Sequence, residues 1–190
     1  LDPIDGVGGL IATDRIFTLL EREFEQRDVQ ASGLSHVDAT GAARMVDVGD
    51  KPDTVREATA TGRITMSDEA LAAIRDGLVK KGDVLAVARV AGIMAAKRTP
   101  ELLPLAHTIG VHGAVVDLEV TDNGVAIEAT VRTADRTGVE MEALTAVSVA
   151  ALAVIDMVKG TDRSAHMQDV RLVRKEGGRS GTWVRPDEDS

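Results

Sequence analysis

The chain of 190 residues contains no cysteine and no tyrosine, and only one tryptophan and two phenylalanines. Without cysteine the protein cannot form disulfides, thiolate zinc sites or iron–sulfur clusters, and it cannot use a cysteine nucleophile. The scarcity of aromatic rings and the formal net charge of -9 argue against nucleic-acid binding by base stacking or phosphate tracking. Any chemistry must therefore use carboxylates, amines, imidazoles, hydroxyls or the backbone.

The sequence also lacks membrane and targeting signals. No apolar run approaches the ~20 residues of a membrane span, and the N-terminus has neither the basic region nor the apolar stretch of a signal peptide. We therefore expect no membrane partner and a cytoplasmic location. With 44% hydrophobic and 28% charged residues, the composition is that of a globular chain long enough for one well-buried core.

The N-terminal part of the chain differs from the rest. A turn-rich start, "LDPIDGVGG", precedes an amphipathic helix pattern over residues 14–30 and a short polar linker, "QASG". These features predict an N-terminal extension over residues 1–34, followed by a main domain over 35–185. The last residues, 186–190, form a short acidic tail.

From residue 44 onward, the strand and helix patterns follow each other in a regular order. The predicted elements are strands at 44–48 and 54–66, helices at 67–76 and 83–97, a hairpin of strands at 114–121 and 125–133, a helix at 137–160 and a strand at 168–175. Leaving the extra helix at 67–76 aside and counting the strands at 44–48 and 54–66 as one strand position, this order is βαββαβ. It predicts an α+β fold of the ferredoxin-like kind, with an antiparallel sheet and the helices on one face. The fold alone does not indicate a reaction.

The helix predicted at 137–160 is apolar in the middle and charged at both ends. The helix dipole favours Glu140 and Glu142 near the N-terminus and Lys159 near the C-terminus by roughly 0.3 to 1 kcal/mol each. Asp156 opposes the dipole, although a pair with Lys159 at i, i+3 would partly offset this cost. The pair is either a helix-terminal ion pair or an acid and base that tune each other's pKa.

The length of this helix limits which charges can act together. At 1.5 Å per residue, Glu142 and Asp156 lie about 21 Å apart along the axis. They cannot share a small pocket within one chain. If both are catalytic, another subunit must complete the site, or there must be two sites.

Three further segments contain candidate residues for binding or catalysis. Lys81 in "KKGDV" precedes a helix N-terminus, which can bind an anion, although lysine beside glycine is common at such places. Arg174, Lys175 and Arg179 surround the glycines of "RKEGGRSG", which can form either a phosphate-binding nest or an ordinary basic turn. His107 lies in an irregular segment, where a histidine is more often structural. Because no histidine spacing fits a compact metal motif, we expect no metal site. We also expect no cofactor.

Seven stretches taken together resemble one protein family. In chain order they are "MVDV", "KKGDV", "ARVAGIMAAKRT", "LLPLAH", "TGVEMEALTAVSVAAL", "DMVK" and "VRLVRKEGGRSG". The chain is similar to the cyclic pyranopterin monophosphate synthases, also called molybdenum cofactor biosynthesis protein C. The likeness covers roughly residues 35–184. It implies a ferredoxin-like subunit in a homohexamer, built as a trimer of dimers, with active sites at the subunit interfaces.

The resemblance also implies a reaction. A lyase of this family converts (8S)-3',8-cyclo-7,8-dihydroguanosine 5'-triphosphate, which is derived from GTP, into cyclic pyranopterin monophosphate and releases pyrophosphate. This chemistry needs proton transfers, cations that bind phosphate, and attack of a sugar hydroxyl on the α-phosphorus. The alternative hypothesis is a catalytically silent oligomeric paralogue that binds a pterin or nucleotide.

The resemblance assigns roles to residues in the matching motifs. The implied catalytic residues are Asp156, Lys159 and Lys81. The implied substrate-binding residues are Leu105, Ala106, His107, Glu140, Met141, Glu142 and Lys175. We expect Asp156 and Lys159 to transfer protons and the glutamates to bind the guanine-derived ring. We expect the triphosphate to be bound by Lys81, His107 and Lys175.

The chain departs from the family pattern in one loop. The family's usual loop reads Pro-Leu-Cys-His-Pro, whereas this chain has "PLAHT", with Ala106 and Thr108 in place of the cysteine and second proline. If the loop contributes backbone groups and the imidazole, alanine is tolerable. If the thiol or the proline geometry is needed, activity would fall. Milder departures are Ile155 for a tyrosine and Arg179 for a lysine.

Overall fold

The computed structural model of the chain describes residues 43 and 45–186. The helix predicted over 14–30, its linker and residues 187–190 of the predicted tail lie outside the described residues. The domain boundaries at residues 34 and 185 therefore stay predictions.

The described elements alternate between strands and helices. In chain order they are β1 (Thr54–Thr65), α1 (Asp68–Arg75), α2 (Val84–Ala96), α3 (Thr99–Leu102), β2 (Gly113–Val120), β3 (Gly124–Asp135), α4 (Glu140–Val158), β4 (His166–Glu176) and β5 (Trp183–Val184).

The strands form one antiparallel sheet in the order β2-β3-β1-β4-β5. The helices pack on one side of this sheet, so the predicted ferredoxin-like α+β arrangement is confirmed. The predicted hairpin is confirmed too, since Val120 pairs with Val125 across a short turn. The two-residue strand β5, which pairs with the end of β4, was not predicted.

The strand predicted at 44–48 is wrong for the described residues 45–48, which lie outside the sheet. Its alternating pattern is that of a strand, but β1 already has β3 on one side and β4 on the other. The segment is held instead by a side chain, since the Val46 carbonyl lies 2.7 Å from Nε2 of His107. The short helix α3 also lies where the sequence predicted irregular chain.

Local capping fixes the starts of α1 and α2. The Ser67 hydroxyl accepts a hydrogen bond from Ala70 N at the start of α1. The Asp83 carboxylate accepts one from Ala86 N, at 2.9 Å, at the start of α2. Each cap satisfies a backbone N–H that has no partner within its helix.

Helix α4 is the centre of the core. Its buried face consists of small and β-branched side chains, namely Ala143, Ala146, Val147, Ala150, Ala151, Val154 and Val158. These side chains let α4 lie close to both α2 and the sheet. The two helices lie close together at Gly92 of α2, where an added Cβ would lie 2.9 Å from Ala146 O and 3.2 Å from Ala150 Cβ. Burial of this face supplies much of the hydrophobic stabilisation of the fold.

The length and composition of α4 alone would also permit a membrane span, because it has 19 apolar-rich residues. By length and composition, the prediction that no apolar run approaches a membrane span therefore does not hold for α4. More than half of the helix is buried against the rest of the protein. Its packing between α2 and the sheet identifies it as the core helix of this fold.

We predict that Gly92→Ala lowers the melting temperature, although alanine is a better helix former than glycine by about 1 kcal/mol. The added methyl group would collide with the α4 backbone at Ala146 O. Thermal unfolding checks this, with Ala86→Gly at an exposed position of α2 as the control for helix propensity. If Gly92→Ala raised the melting temperature by as much as Ala86→Gly lowers it, the close contact would have no energetic weight.

Candidate active site

Three candidate catalytic residues meet at the C-terminal end of α4, in a group that we call the C-terminal cluster. Asp156 lies on the last turn of α4, and its Oδ1 is 2.6 Å from Nζ of Lys159. Its Oδ2 is 2.7 Å from Nζ of Lys81, which comes from the turn between α1 and α2. Lys81 Nζ also donates to the Asp156 carbonyl at 2.7 Å. One carboxylate therefore holds two ammonium groups.

The two lysines stabilise the ionised form of Asp156. Hydrogen bonds from Lys159 first and Lys81 second lower the pKa of the Asp156 carboxyl from its usual 3.8 to about 2. The Asp156 side chain is 54% exposed within the single chain. The cluster presents two cations and one anion to solvent, and its surplus is positive.

The other candidates gather at the opposite end of α4, in a group that we call the N-terminal cluster. Glu140 begins the helix, and its Oε1 lies 3.1 Å from Nζ of Lys175 on β4. Glu142 is buried, with 3% of its surface exposed. His107 lies close enough to affect the pKa of Glu142. This cluster combines two carboxylates, an ammonium group and an imidazole.

Burial changes the chemistry of Glu142. Desolvation is the main cause that raises the pKa of its carboxyl from 4.5 to about 6, and Glu140 raises it further. A hydrogen bond with its own backbone and the proximity of His107 act in the opposite direction. Near pH 6, therefore, Glu142 can both donate and accept a hydrogen bond.

The loop before β2 fixes the orientation of His107. The Val46 carbonyl can only accept a hydrogen bond, so the contact with Nε2 requires a proton on that nitrogen. Whenever the ring is neutral, Nδ1 is its hydrogen-bond acceptor. Within the same loop, Ala106 N donates to Leu103 O at 3.0 Å and closes a turn.

Some predicted contacts point outward rather than into the core. Leu105 is 39% and Met141 is 44% exposed, so both side chains can contact a substrate or a neighbouring subunit. A cleft of about 550 Å³ opens beside His107. Its lining comes from the segment before β1, the His107 loop and the end of β3, and includes Met45, Val48, Asp53, Thr108, Ile109 and Arg136.

The structure divides the predicted site residues between two places. Glu140 and Asp156 are sixteen positions apart on α4, which is about 24 Å along the axis. Lys175 contacts the first and Lys81 contacts the second. The expected joint binding of one triphosphate by Lys81, His107 and Lys175 is therefore not possible within a single chain.

Two charged residues near these clusters were missed by the sequence reasoning. Arg56 of β1 donates from Nε to Asp135 O and from Nη2 to Arg136 O, each at 3.0 Å, and so holds the loop that leads into α4. Asp162 receives hydrogen bonds from Ser67 and Ser164 beyond the other end of α4. The pattern Asp-x-Ser after the helix was the available signal for Asp162, whereas no local motif marks Arg56.

No group of three or more histidine, aspartate and glutamate side chains within residues 43 and 45–186 is arranged to hold a metal ion. The charged groups of both clusters are instead paired with each other or with the backbone. The arrangement suits proton transfer and the binding of a polar anion.

Comparison with known proteins identifies relatives of the chain. The family model described as "MoaC family" matches residues 45–178. A cyclic pyranopterin monophosphate synthase of Nocardioides sp. is 60% identical over 156 residues, which are 80% of this chain and 96% of the relative. One from Chloroflexus aurantiacus is 59% identical over 155 residues, which are 80% of this chain and 95% of the relative. One from Streptomyces coelicolor is 58% identical over 152 residues, 80% and 89% of the two chains.

We predict that Glu142→Gln changes how stability depends on pH. Because folding raises the pKa of Glu142 from 4.5 to about 6, the folded state binds this proton more tightly than the unfolded state. The free energy of unfolding should therefore fall as pH rises through this window, by about 2 kcal/mol for this group. The glutamine variant lacks this loss. Its free energy of unfolding should therefore rise relative to that of the wild type between pH 4 and pH 7.5.

Urea unfolding at the two pH values measures the difference between the proteins. Glu69→Gln, at an exposed position of α1, is the matched control and should follow the wild type at both pH values. Equal pH dependence in the wild type and Glu142→Gln would show that burial of Glu142 does not raise its pKa.

Proposed function

The chain belongs to the MoaC family, and on that premise we propose that it is a lyase of molybdenum cofactor biosynthesis. Its substrate is (8S)-3',8-cyclo-7,8-dihydroguanosine 5'-triphosphate, which it converts to cyclic pyranopterin monophosphate with release of pyrophosphate. The curated relatives named above carry the name of this synthase. The observation that supports the proposal best is the carboxylate of Asp156 between the ammonium groups of Lys81 and Lys159.

The C-terminal cluster is suited to the phosphate part of the reaction. Its positive surplus attracts the triphosphate, and ammonium groups stabilise the charge that develops as pyrophosphate leaves. Phosphate oxygens also compete with Asp156 for the hydrogen bonds that Lys81 and Lys159 donate. Once Lys81 and Lys159 turn towards phosphate, the pKa of Asp156 rises from about 2 towards its usual value. Asp156 then becomes a stronger base at the moment when the substrate is bound.

The N-terminal cluster is suited to the guanine-derived ring. The ring presents N–H groups and a carbonyl, and carboxyl groups in two protonation states can pair with both kinds of group. Glu140, Glu142 and the Nδ1 of His107 provide these partners. Lys175 and His107 lie with the glutamates in each chain. They reach the triphosphate only where the clusters of two neighbouring chains meet.

We therefore propose that a complete site is formed between subunits of a homohexamer, built as a trimer of dimers. The separation of about 24 Å between Glu140 and Asp156 supports this assembly, because a single chain cannot bring its own clusters together. Exposed apolar side chains supply contact surface, namely Val87, Val90 and Met94 of α2 and Leu152 of α4. We propose a cytoplasmic location, which suits a GTP-derived substrate and a chain without cysteine.

The "PLAHT" loop motivates one alternative function, a catalytically silent paralogue that binds a pterin or nucleotide. Two observations favour the enzyme over this alternative. The loop positions His107 through the Val46 carbonyl, and it closes through the Ala106 N–H. Both contacts use groups that alanine at position 106 retains. The imidazole that lies close enough to Glu142 to affect its pKa is present as well.

Asp156→Asn is predicted to lower turnover by at least a hundredfold, since the amide cannot act as a base and holds two ammonium groups poorly. The assay incubates the protein with the cyclised GTP derivative and follows pyrophosphate and pyranopterin together. Asp117→Asn on β2, an exposed aspartate, is the matched control and should retain wild-type turnover. Native mass spectrometry should show the same assembly for both variants. Normal activity in Asp156→Asn would overturn the assignment of the site.

The double variant Ala106→Cys with Thr108→Pro tests the silent alternative. If the loop acts through its backbone and the imidazole, restoring the family's usual residues should change kcat/KM by less than about threefold, well under the effect of losing a catalytic group. The same product assay measures it. Substrate binding without turnover in the wild type, together with turnover in the double variant, would support the silent paralogue.

A further inference from the structure

Asp162 is a buried carboxylate just beyond the C-terminal end of α4, with 7% of its surface exposed. Its Oδ2 accepts a hydrogen bond of 2.6 Å from the backbone N–H of Ser67. Its Oδ1 accepts bonds from Ser164, 2.8 Å from N and 2.6 Å from Oγ. These bonds, the Ser164 hydroxyl first, lower the pKa of Asp162 to about 2, so the group stays ionised at physiological pH.

The backbone of Asp162 belongs to the turn that ends α4. Its N–H donates to Val158 O at 2.9 Å, and the N–H of Thr161 donates to the same carbonyl at 2.8 Å. Lys159 lies within this turn and reaches back to Asp156. Fixing the turn therefore fixes the ammonium group of Lys159 relative to the carboxylate.

The partner of Oδ2, Ser67, begins the segment that leads to Lys81. Ser67 caps α1, and the turn beyond α1 is tied to the helix by a bond of 2.9 Å from Leu78 N to Ala73 O. Lys81 follows in this turn and contacts Asp156. The position of α1 thus determines where Lys81 meets the end of α4.

We propose that Asp162 is a positioning residue for the C-terminal cluster. Its carboxylate joins the turn that carries Lys159 to the α1 segment that leads to Lys81. This link holds both ammonium groups within reach of Asp156. The proposal rests on the function assigned to this cluster above. Asp162 does not itself touch the reacting groups. Its effect on catalysis comes from geometry, and a displacement of about 1 Å at a catalytic group can reduce the rate on the order of a hundredfold.

Asp162→Asn breaks this link, because all three partners are donors and the amide must present its own N–H₂ to one of them. Ser67→Ala is the matched control, since it removes the capping hydroxyl of α1 and keeps the backbone N–H that Asp162 accepts. Both variants weaken the same junction. Only Asp162→Asn releases α1 from the turn after α4.

Two readouts follow each variant at a temperature well below its melting point. The first is kcat/KM with the cyclised GTP derivative, and the second is the pKa of Asp156 from its carboxyl carbon resonance in the free protein. Asp162→Asn should lower kcat/KM by about ten- to a hundredfold, and it should raise the pKa of Asp156 from about 2 towards 3.8. Ser67→Ala should change kcat/KM by less than about threefold and leave that pKa in place.

Equal readouts in Asp162→Asn and Ser67→Ala would overturn the proposal, because they would show that Asp162 stabilises the junction without organising the cluster. Ser164→Ala removes one hydrogen bond and should move both readouts in the same direction by a smaller amount. It keeps the proposal testable if Asp162→Asn does not fold. Full activity in Asp156→Asn would instead refute the assigned function. The pKa of Asp156 in the Asp162→Asn and Ser67→Ala variants would still report on positioning.

Discussion

The rigidity of α4 is the constraint on which the rest of the structure depends. A hydrogen-bonded helix of 19 residues keeps its two ends at a fixed distance, and its alanine and valine face fills the core between α2 and the sheet. The glycine at position 92 allows the two helices to come into backbone contact. The element that stabilises the fold is thus the same element that separates the two charged clusters. Substitutions in the core face of α4 should therefore affect both clusters.

The two ends differ in the physical state of their carboxylates. Asp156 is exposed and holds two lysines, so its pKa is low. Glu142 is buried beside another glutamate, so its pKa is high. These opposite environments suit the two parts of a nucleotide-derived substrate, a polyanionic phosphate tail and a ring with hydrogen-bond donors and acceptors. In the proposed assembly, each subunit contributes its C-terminal cluster to one site and its N-terminal cluster to another.

Much of the fold could be predicted because its signals are local. The hairpin has alternating strands around a short turn, and Ser67 and Asp83 cap their helices by contacts over three residues. The strand at 44–48 was mispredicted because the competition of β3 and β4 for the edges of β1 is a property of the whole sheet. Likewise the motifs identified Lys175, but its pairing with Glu140 depends on the register of β4 beside β1. Burial of Glu142 and Asp162 is a tertiary property with no signature in the helix pattern.

The claim that neighbouring chains complete each other's sites is tested most directly by mixed oligomers. Chains carrying Asp156→Asn and chains carrying Glu142→Gln are mixed in equal amounts, and exchange of subunits is verified by native mass spectrometry. If each site takes its C-terminal cluster from one chain and its N-terminal cluster from another, about one quarter of the sites receive both intact clusters. The mixture should then be clearly more active than either parent. Activity no higher than the mean of the two parents, in oligomers shown to be mixed, would contradict the account.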